Sequence, residues 1–267
     1  MRTARTIGLM LASLIALASF GGSLLQRFDY SRQDREQVSA GPSQEHWLGT
    51  DALGRDRLAR LLHGTRVSLT LAPAAAGIAL LLAFLAGATP GFVGGASERV
   101  AKIAIDLMLS VPWLFLLLMV RAMLPLNTSP AASAAITFLM LGLLGWGMPA
   151  RILMARAQRL RRSEFVVLAR ASGVSRWRLL CIHVMPNLRP VLLAQFWIAV
   201  PVFILAEANL SLLGLGVAEP LPSLGSLLQE LETVLSFRGD ACSFAALLVM
   251  MLMVGSLQIA FMKHEVS

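Results

Sequence analysis

The sequence predicts an all-α membrane protein of six transmembrane helices, with a short cytoplasmic helix between spans four and five. Three observations carry that reading. Hydrophobic residues make up 57% of the 267 and charged residues only 14%, and the mean hydropathy is +0.71; a soluble domain of this length does not reach that balance. Apolar blocks close to the length of about 20 residues needed to cross a bilayer recur along the chain. Between two of them lies an arginine-rich stretch, Arg161 to Asn187, that is patterned as helix.

The blocks run roughly from Ile7 to Leu25, Val67 to Thr89, Ile103 to Val120, Ala131 to Ala150, Pro190 to Ala206 and Ala241 to Met262. The third is interrupted by Asp106 and Pro112, and the fifth is short and carries Pro201. A proline inside a spanning helix implies a kink whose freed carbonyl is satisfied by a neighbour. Residues 1–66 are expected to form an N-terminal anchor helix and a periplasmic segment. Residues 67–267 are expected to form a five-helix core with a cytoplasmic loop at 151–189. Arg2 and Arg5 before the first block, and Ala16-Leu17-Ala18 within it, also fit a cleavable signal peptide. The apolar run continues through Leu25 to spanning length, which favours an uncleaved anchor, and the later topology is the same either way.

Charge sets the orientation, because arginine and lysine in short loops stay on the cytoplasmic side. The loop from Arg151 to Arg189 carries nine arginines and one acid, Glu164. The loop from Glu207 to Asp240 carries five acids against Arg238 alone. The first is therefore expected inside and the second outside, which puts both termini in the cytoplasm. Residues 26–66 then fall outside with seven arginines against six acids, a mild departure from the rule.

The net charge of +8 sits between apolar blocks rather than on one soluble face. Membrane lipids or an acidic partner suit it, and nucleic acid does not. Lysine occurs only at Lys102 and Lys263, so the chain has no G-x-x-x-x-G-K-[ST] phosphate loop, and nucleotide energy would have to come from another subunit. Cys181 and Cys242 are expected on opposite sides of the membrane, without a disulfide. The four histidines are scattered without metal-ligand spacing, so no metal site is expected.

In the arginine-rich stretch, Phe165, Leu168, Ala169 and Ser172 recur at i, i+3, i+4 and i+7 and give a helix one mainly apolar face. Ser163 is placed to cap the first amides, and Glu164 puts negative charge at the positive end of the dipole. Gly173 can end the helix in a left-handed conformation, and Ser175 can cap a second short helix ending near Pro186. An amphipathic helix lying on anionic lipid fits the same pattern.

The run Glu164-Phe165 … Ala169-Arg170-Ala171 … Gly173 … His183-Val184-Met185-Pro186-Asn187 resembles the cytoplasmic EAA loop of ABC-importer permeases. The segment His46 to Leu69, with Gly49, Thr50, Asp51, Gly54, Arg55 and Asp56, resembles the H-x-L-G-T-D-x-x-G-R-D signature of the dipeptide, oligopeptide and nickel branch. The segment Glu207 to Leu228, with Ser211, Gly214 and Gly216, resembles that branch's E-A-x-L-S-F-L-G-L-G followed by P-x-P-S-W-G. The three stand in the family's order, and the similarity extends over nearly the whole chain. The chain departs from the pattern at Val167, where the triplet has glutamate, at Leu168, where it has alanine, and at Leu224, where the branch has tryptophan.

The resemblance implies a multi-pass permease subunit in a bacterial or archaeal inner membrane. It would pair with a second permease, two ATP-binding subunits and a periplasmic or lipid-anchored substrate-binding protein. ATP and Mg would be bound by the partners, with no cofactor on this chain. Peptides are the implied cargo, moved by alternating access, with nickel or another small solute as the alternative. Glu164, Phe165, Leu168, Ala169, Arg170, Ser172 and Gly173 would form the coupling helix that docks on an ATPase. The motif around Asp51 would be either a salt-bridged helix start or a contact with the binding protein or partner permease. Glu207, Ser211, Gly214 and Gly216 open a segment expected to pack as a broken helix over the outer mouth, as part of a gate. Asp106, near the inner end of the third block, is an intramembrane carboxylate and so a candidate pathway group; a structural pair with Lys102, four residues earlier, is the favoured expectation. An intramembrane enzyme would need a histidine within a span, and no block holds one; a secondary transporter would need no ATPase.

Overall fold

The computed structural model describes residues 2–25, 29–123, 128–235, 248–249, 251–252 and 254–256. Regular structure among the described residues is helical, apart from one isolated bridge between Thr50 and Asp56. The helices are α1 (Arg2–Leu25), α2 (Arg57–Ala83), α3 (Thr89–Val93), α4 (Gly95–Ser110), α5 (Trp113–Ala122), α6 (Pro130–Leu144), α7 (Gly147–Arg161), α8 (Glu164–Ala171), α9 (Arg176–Leu179), α10 (Met185–Leu212) and α11 (Leu224–Leu235). Three continuous helical rods, Arg57–Val93, Pro130–Arg161 and Trp177–Leu212, are long and apolar enough to cross a membrane. α4 and α5 make a fourth if counted together across their 73° bend. In α1 the apolar portion is Met10–Gly21. Of the sixth expected block, Ala241 to Met262, only residues 248–249, 251–252 and 254–256 are described, and these are helical; the rest lies outside the described residues.

The rods overrun the apolar blocks. The second begins at Arg57 rather than Val67, and the fifth runs from Trp177 to Leu212 rather than from Pro190 to Ala206, because backbone hydrogen bonding continues into polar turns where hydropathy has already fallen. The sharp break in span three falls at Val111-Pro112, where extended backbone (φ −93°, ψ 129°) separates the two helices. The residue before a proline avoids helical geometry.

Pro186 corrects the sequence reading. It does not end a short helix after Ser175, because the chain stays helical through a π turn at Leu180–Val184 and into α10. The same device joins α2 to α3, where a π turn at Phe84–Ala88 precedes Pro90. A proline lacks the N–H that bonds back to residue i−4, and its ring collides with that carbonyl. The carbonyls concerned, at Ala86 and Ile182, both lie inside a wider π turn, so the helix continues instead of breaking.

α2 is the hub, packing against α1, α6, α7, α10 and α11. Ala72, Ala75, Ala76, Ala79 and Ala83 are all buried, at spacings of three and four that put them on one helix face. The facing residue is small too, since a Cβ at Gly142 would lie 2.8 Å from the Ala75 carbonyl oxygen, and a similar approach recurs between α3 and α7, where a Cβ at Gly91 would lie 2.9 Å from the Met154 carbonyl oxygen. Where lipid tails are as apolar as leucine, such close backbone approach supplies the packing attraction that holds spans together. Enlarging Ala76 to leucine would overpack it at about 1–3 kcal/mol.

The core divides along the rods into two clusters. One joins the Ala72–Ala79 face to Phe138, Leu141, Val200, Phe203, Ile204 and Leu224. The other joins Ala83, Phe92, Ile105, Leu153, Ala157, Val166, Leu179 and Leu188. α11 caps the first cluster, and α8 is pinned to the second.

Candidate functional site

Beyond the first cluster, the segment 29–56 folds as irregular turns. Asp51 sits in one of them, its Oδ1 accepting from the amides of Leu53 (2.8 Å) and Arg55 (2.9 Å) and its Oδ2 from Arg55 Nε (2.6 Å). The turn needs Gly54 at φ +73°, where a Cβ would come within 3.0 Å of the Asp34 nitrogen; only glycine adopts this conformation at no steric cost. Gly49 also has positive φ, and Thr50 is fully buried, its hydroxyl accepting from the Ala40 amide (2.9 Å). Asp56 caps α2 by accepting from Ala59 N (2.6 Å), while its other oxygen meets His46 Nδ1 at 2.7 Å. The helix therefore starts at Asp56, and Asp51 belongs to the turn before it.

The Asp51–Arg55 pair is not merely local. Arg55 and Arg60, both buried, reach across to Glu219, and both also approach Glu230: Arg60 bonds it directly, and Arg55 Nη2 stands 3.6 Å away. Three carboxylates, Asp51, Glu219 and Glu230, thus surround two guanidinium groups. Burial favours neutral Arg55, but hydrogen bonds and attraction from Asp51 and Glu219 outweigh it and hold its pKa above the ordinary value. Burial pushes Glu230 up, only partly offset by Arg60.

The third motif closes onto the second. Glu207 is fully buried in α10; its Oε1 accepts from the hydroxyls of Ser211 (2.8 Å) and Ser223 (2.7 Å), and its Oε2 from the Gly225 amide (3.2 Å). The carboxylate therefore sits at the positive end of α11. Gly214, at φ +74°, ends α10, with Gly214 N bonded to Ser211 O and Leu215 N to Leu210 O. The segment is a broken helix packed on protein, as expected, with α10 running six residues past Ala206 before the break. Leu224 N donates to Ser68 Oγ (3.3 Å) in α2. From α5, Arg121 donates to the carbonyls of Leu215 (2.9 Å) and Gly216 (2.7 Å) and to Ser133 Oγ (2.6 Å). The two motifs, more than 150 residues apart, form one interlocked polar body. Sequence reading missed Arg60, Arg121, Ser223 and Glu230; the available signal was the arginine excess of residues 26–66 facing the acid excess of residues 207–240.

At the other end of the rods, Glu164–Ala171 is helical and stops as expected. Gly173 has φ +82°, its N–H bonds Arg170 O (3.1 Å), and Val174 N–H bonds Ala169 O (3.2 Å), the paired bonds of a Schellman stop. Ser163 does not cap the helix with its side chain; its hydroxyl turns back to donate to Leu160 O (2.6 Å). Ser175 Oγ accepts from Arg178 N (3.4 Å). Val166 is the buried anchor, and Ala169 is half-buried against the core. Phe165, Val167 and Leu168 are 41%, 53% and 67% exposed, and Glu164, Arg170 and Ser172 are exposed with them. Trp177 and Ile182 extend this uncovered apolar surface.

Asp106 pairs with Arg151 of α7 rather than with Lys102, because α4 and α7 run antiparallel and bring residues 45 apart to one level. Cys181 is free and exposed, and Cys242 lies outside the described residues.

Residues 62–264 match the family described as binding-protein-dependent transport system inner membrane component. The oligopeptide transport system permease protein OppC of Bacillus subtilis (strain 168) is 33% identical over 84% of this chain and 72% of its own length. OppC of Escherichia coli (strain K12) is 33% identical over 85% and 74%. The dipeptide transport system permease protein DppC of B. subtilis is 29% identical over 86% and 70%. The chain belongs to the family of inner-membrane components of binding-protein-dependent transport systems.

Proposed function

We propose that this chain is one permease subunit of an ABC importer that carries peptides across the inner membrane by alternating access, powered by ATP hydrolysis on partner subunits. The carrying observation is α8: a short helix with a glycine stop, anchored through Val166, that leaves Phe165, Val167 and Leu168 uncovered between two long rods. A rigid apolar peg of this kind fits a groove on a partner, and the arginines around it suit an acidic rim. When two ATPases close on nucleotide, a docked peg moves and the attached rods tilt with it. α8 is thus the coupling helix, with Val167 presented to the ATPase where the family pattern has glutamate.

In this reading the chain crosses the membrane six times with both termini inside, α8 in the cytoplasm and the interlocked motifs outside. Residues 1–66 supply an anchor and a periplasmic segment, and residues 67–267 the core. The partners are a second permease, two ATP-binding subunits that hold ATP and Mg, and a substrate-binding protein that performs most of the selection. No catalytic role falls on this chain. Peptide cargo is supported by the names of the relatives, which are oligopeptide and dipeptide permeases.

The Glu207 to Leu228 segment is the outer gate candidate. Glu207, Ser211, Gly214 and Gly216 set the turn that lays α11 across α2 and α10. Uptake of a labelled tripeptide by proteoliposomes holding the full complex and its binding protein tests the reading. It predicts uptake that requires ATP and stops when 213–223 is cross-linked to the partner permease; ATP-independent uptake would refute it.

A further inference from the structure

α4 and α7 carry two charged rungs of different character. At the first, Glu98 accepts from Gln158 Nε2 (2.9 Å) and Arg161 Nη1 (2.7 Å), and the side chains of Glu98 and Arg161 are only 23% and 20% exposed. This rung is a structural clasp. The second is Asp106 with Arg151, side chains 49% and 52% exposed, each with only the other as partner among the described residues. Eight residues of helix separate Glu98 from Asp106, about 12 Å.

The second rung lies at the inner edge of the apolar length of the bundle, Asp106 three residues into the block that starts at Ile103 and Arg151 directly after the block that ends at Ala150. Ala150, one residue before Arg151, packs against Gly87, inside the apolar part of the Arg57–Val93 rod. One turn before each lies an exposed apolar side chain, Ile103 before Asp106 and Met148 before Arg151. Arginine is long enough to snorkel toward an interface, but aspartate is not. A carboxylate held half-exposed against hydrocarbon is costly, so such a group faces the bundle interior or water. Charges at such depth face a water-filled cavity or another protein group. A mainly apolar wall bearing a few placed polar groups is also the character of a binding surface for varied solutes.

We infer that Asp106 and Arg151 line the aqueous passage between this subunit and its partner permease, where they meet the charged ends of the transported peptide. The inference rests on the permease reading above and deepens it. The Asp106 carboxylate offers an acceptor to a peptide's terminal ammonium, and the Arg151 guanidinium two parallel donors to its terminal carboxylate. Between passages the two side chains neutralise each other, so the pair is a resting contact that the substrate's termini exchange with. Both are positioning groups for the cargo.

The experiment uses the complete complex in proteoliposomes, with Cys181→Ser and Cys242→Ser as background. Cysteine at 106, at 151 and, as a control away from any charged rung, at Leu193 of α10 (60% exposed) is treated with a charged, membrane-impermeant methanethiosulfonate. Labelling at 106 and 151, with none at 193, is expected. Inert cysteines at 106 and 151 beside an ATPase-active complex would place the rung in lipid or in a sealed subunit contact and overturn the inference alone.

A second arm compares Asp106→Asn with the parent on a free tripeptide and on the same peptide N-acetylated. The expected result is a KM raised at least tenfold for the free peptide, with kcat held, and little change for the acetylated one. Equal losses on both would mean that Asp106 only supports the fold. Cysteine variants that label at 106 and 151, beside a parent complex that takes up neither peptide, would contradict the peptide reading and leave the water-lined rung standing.

Discussion

The two ends of the bundle solve opposite problems. At the end carrying residues 29–56 and α11, polar groups are paired within the chain: buried Arg55 and Arg60 with exposed Glu219 and half-buried Glu230, and buried Glu207 with Ser211, Ser223 and Gly225. At the end carrying α8, large apolar side chains stand exposed above a single anchor, Val166. Burying a charge without a partner is costly and exposing a leucine is not, so the first end is finished within one chain, while the second offers surface for another molecule to cover. A lesion at the first end should therefore cost stability, and a lesion at the second should cost assembly.

The largest expected effect is on assembly. Leu168→Glu puts a charge in the middle of the uncovered face and should reduce co-purification of the ATP-binding subunits at least tenfold. The melting temperature of the isolated subunit should stay within about 1 °C, because a surface change away from packed groups costs less than about 0.5 kcal/mol.

Arg60→Leu should act at the other end, removing the direct bond from Arg60 to half-buried Glu230 and leaving Arg55 3.6 Å away from it. The cost is about 3 kcal/mol, the lower part of the range for removing one side of a buried pair, read as a lower unfolding midpoint in detergent. Arg60→Leu combined with Glu230→Leu should recover part of the loss, since no uncompensated charge then remains at that pair. Glu207→Gln keeps the shape but turns an amide N–H₂ toward the Gly225 amide or a serine hydroxyl, at about 1–3 kcal/mol for an unsatisfied buried donor. Proteolysis within 213–223 would report the loosened turn.

Gly173→Ala should cost about 1–2 kcal/mol locally, because φ of +82° strains any L side chain. The smallest effect is on pH dependence. Glu230 has its folded pKa raised above the ordinary 4.5, so its contribution is fully present below that value and is lost as pH rises through the folded pKa. Glu230→Gln should flatten the stability profile just above pH 4.5, a difference visible in melting curves taken between pH 4.5 and 7.

The helices around spans two to five were legible in the sequence because hydropathy and length set them, and the stop at Gly173 because one backbone conformation demands glycine. Their ends were not legible, since hydrogen bonding carries a helix past the point where hydropathy falls. Nor was the continuation through Pro186, which depends on a π turn that no residue pattern announces. Ser163 looked like a cap because its type and place allow one, yet the Leu160 carbonyl competes for the same hydroxyl. The motif pairing was not legible: loop charge served only to orient the chain, and choosing Glu230 for Arg60 needed the turn at Gly214 to bring α11 back over α2. Asp106 drew the wrong partner for a similar reason, because Lys102 is near in sequence and Arg151 is near in space.

Docking of α8 on an ATP-binding subunit is tested most directly by cross-linking. A photoreactive benzoylphenylalanine at Leu168 in the purified complex should cross-link to the ATP-binding subunit, with a yield that changes when a non-hydrolysable ATP analogue is added. The same probe at Leu193 should give no such product. Cross-linking from 193 and none from 168 would contradict the account.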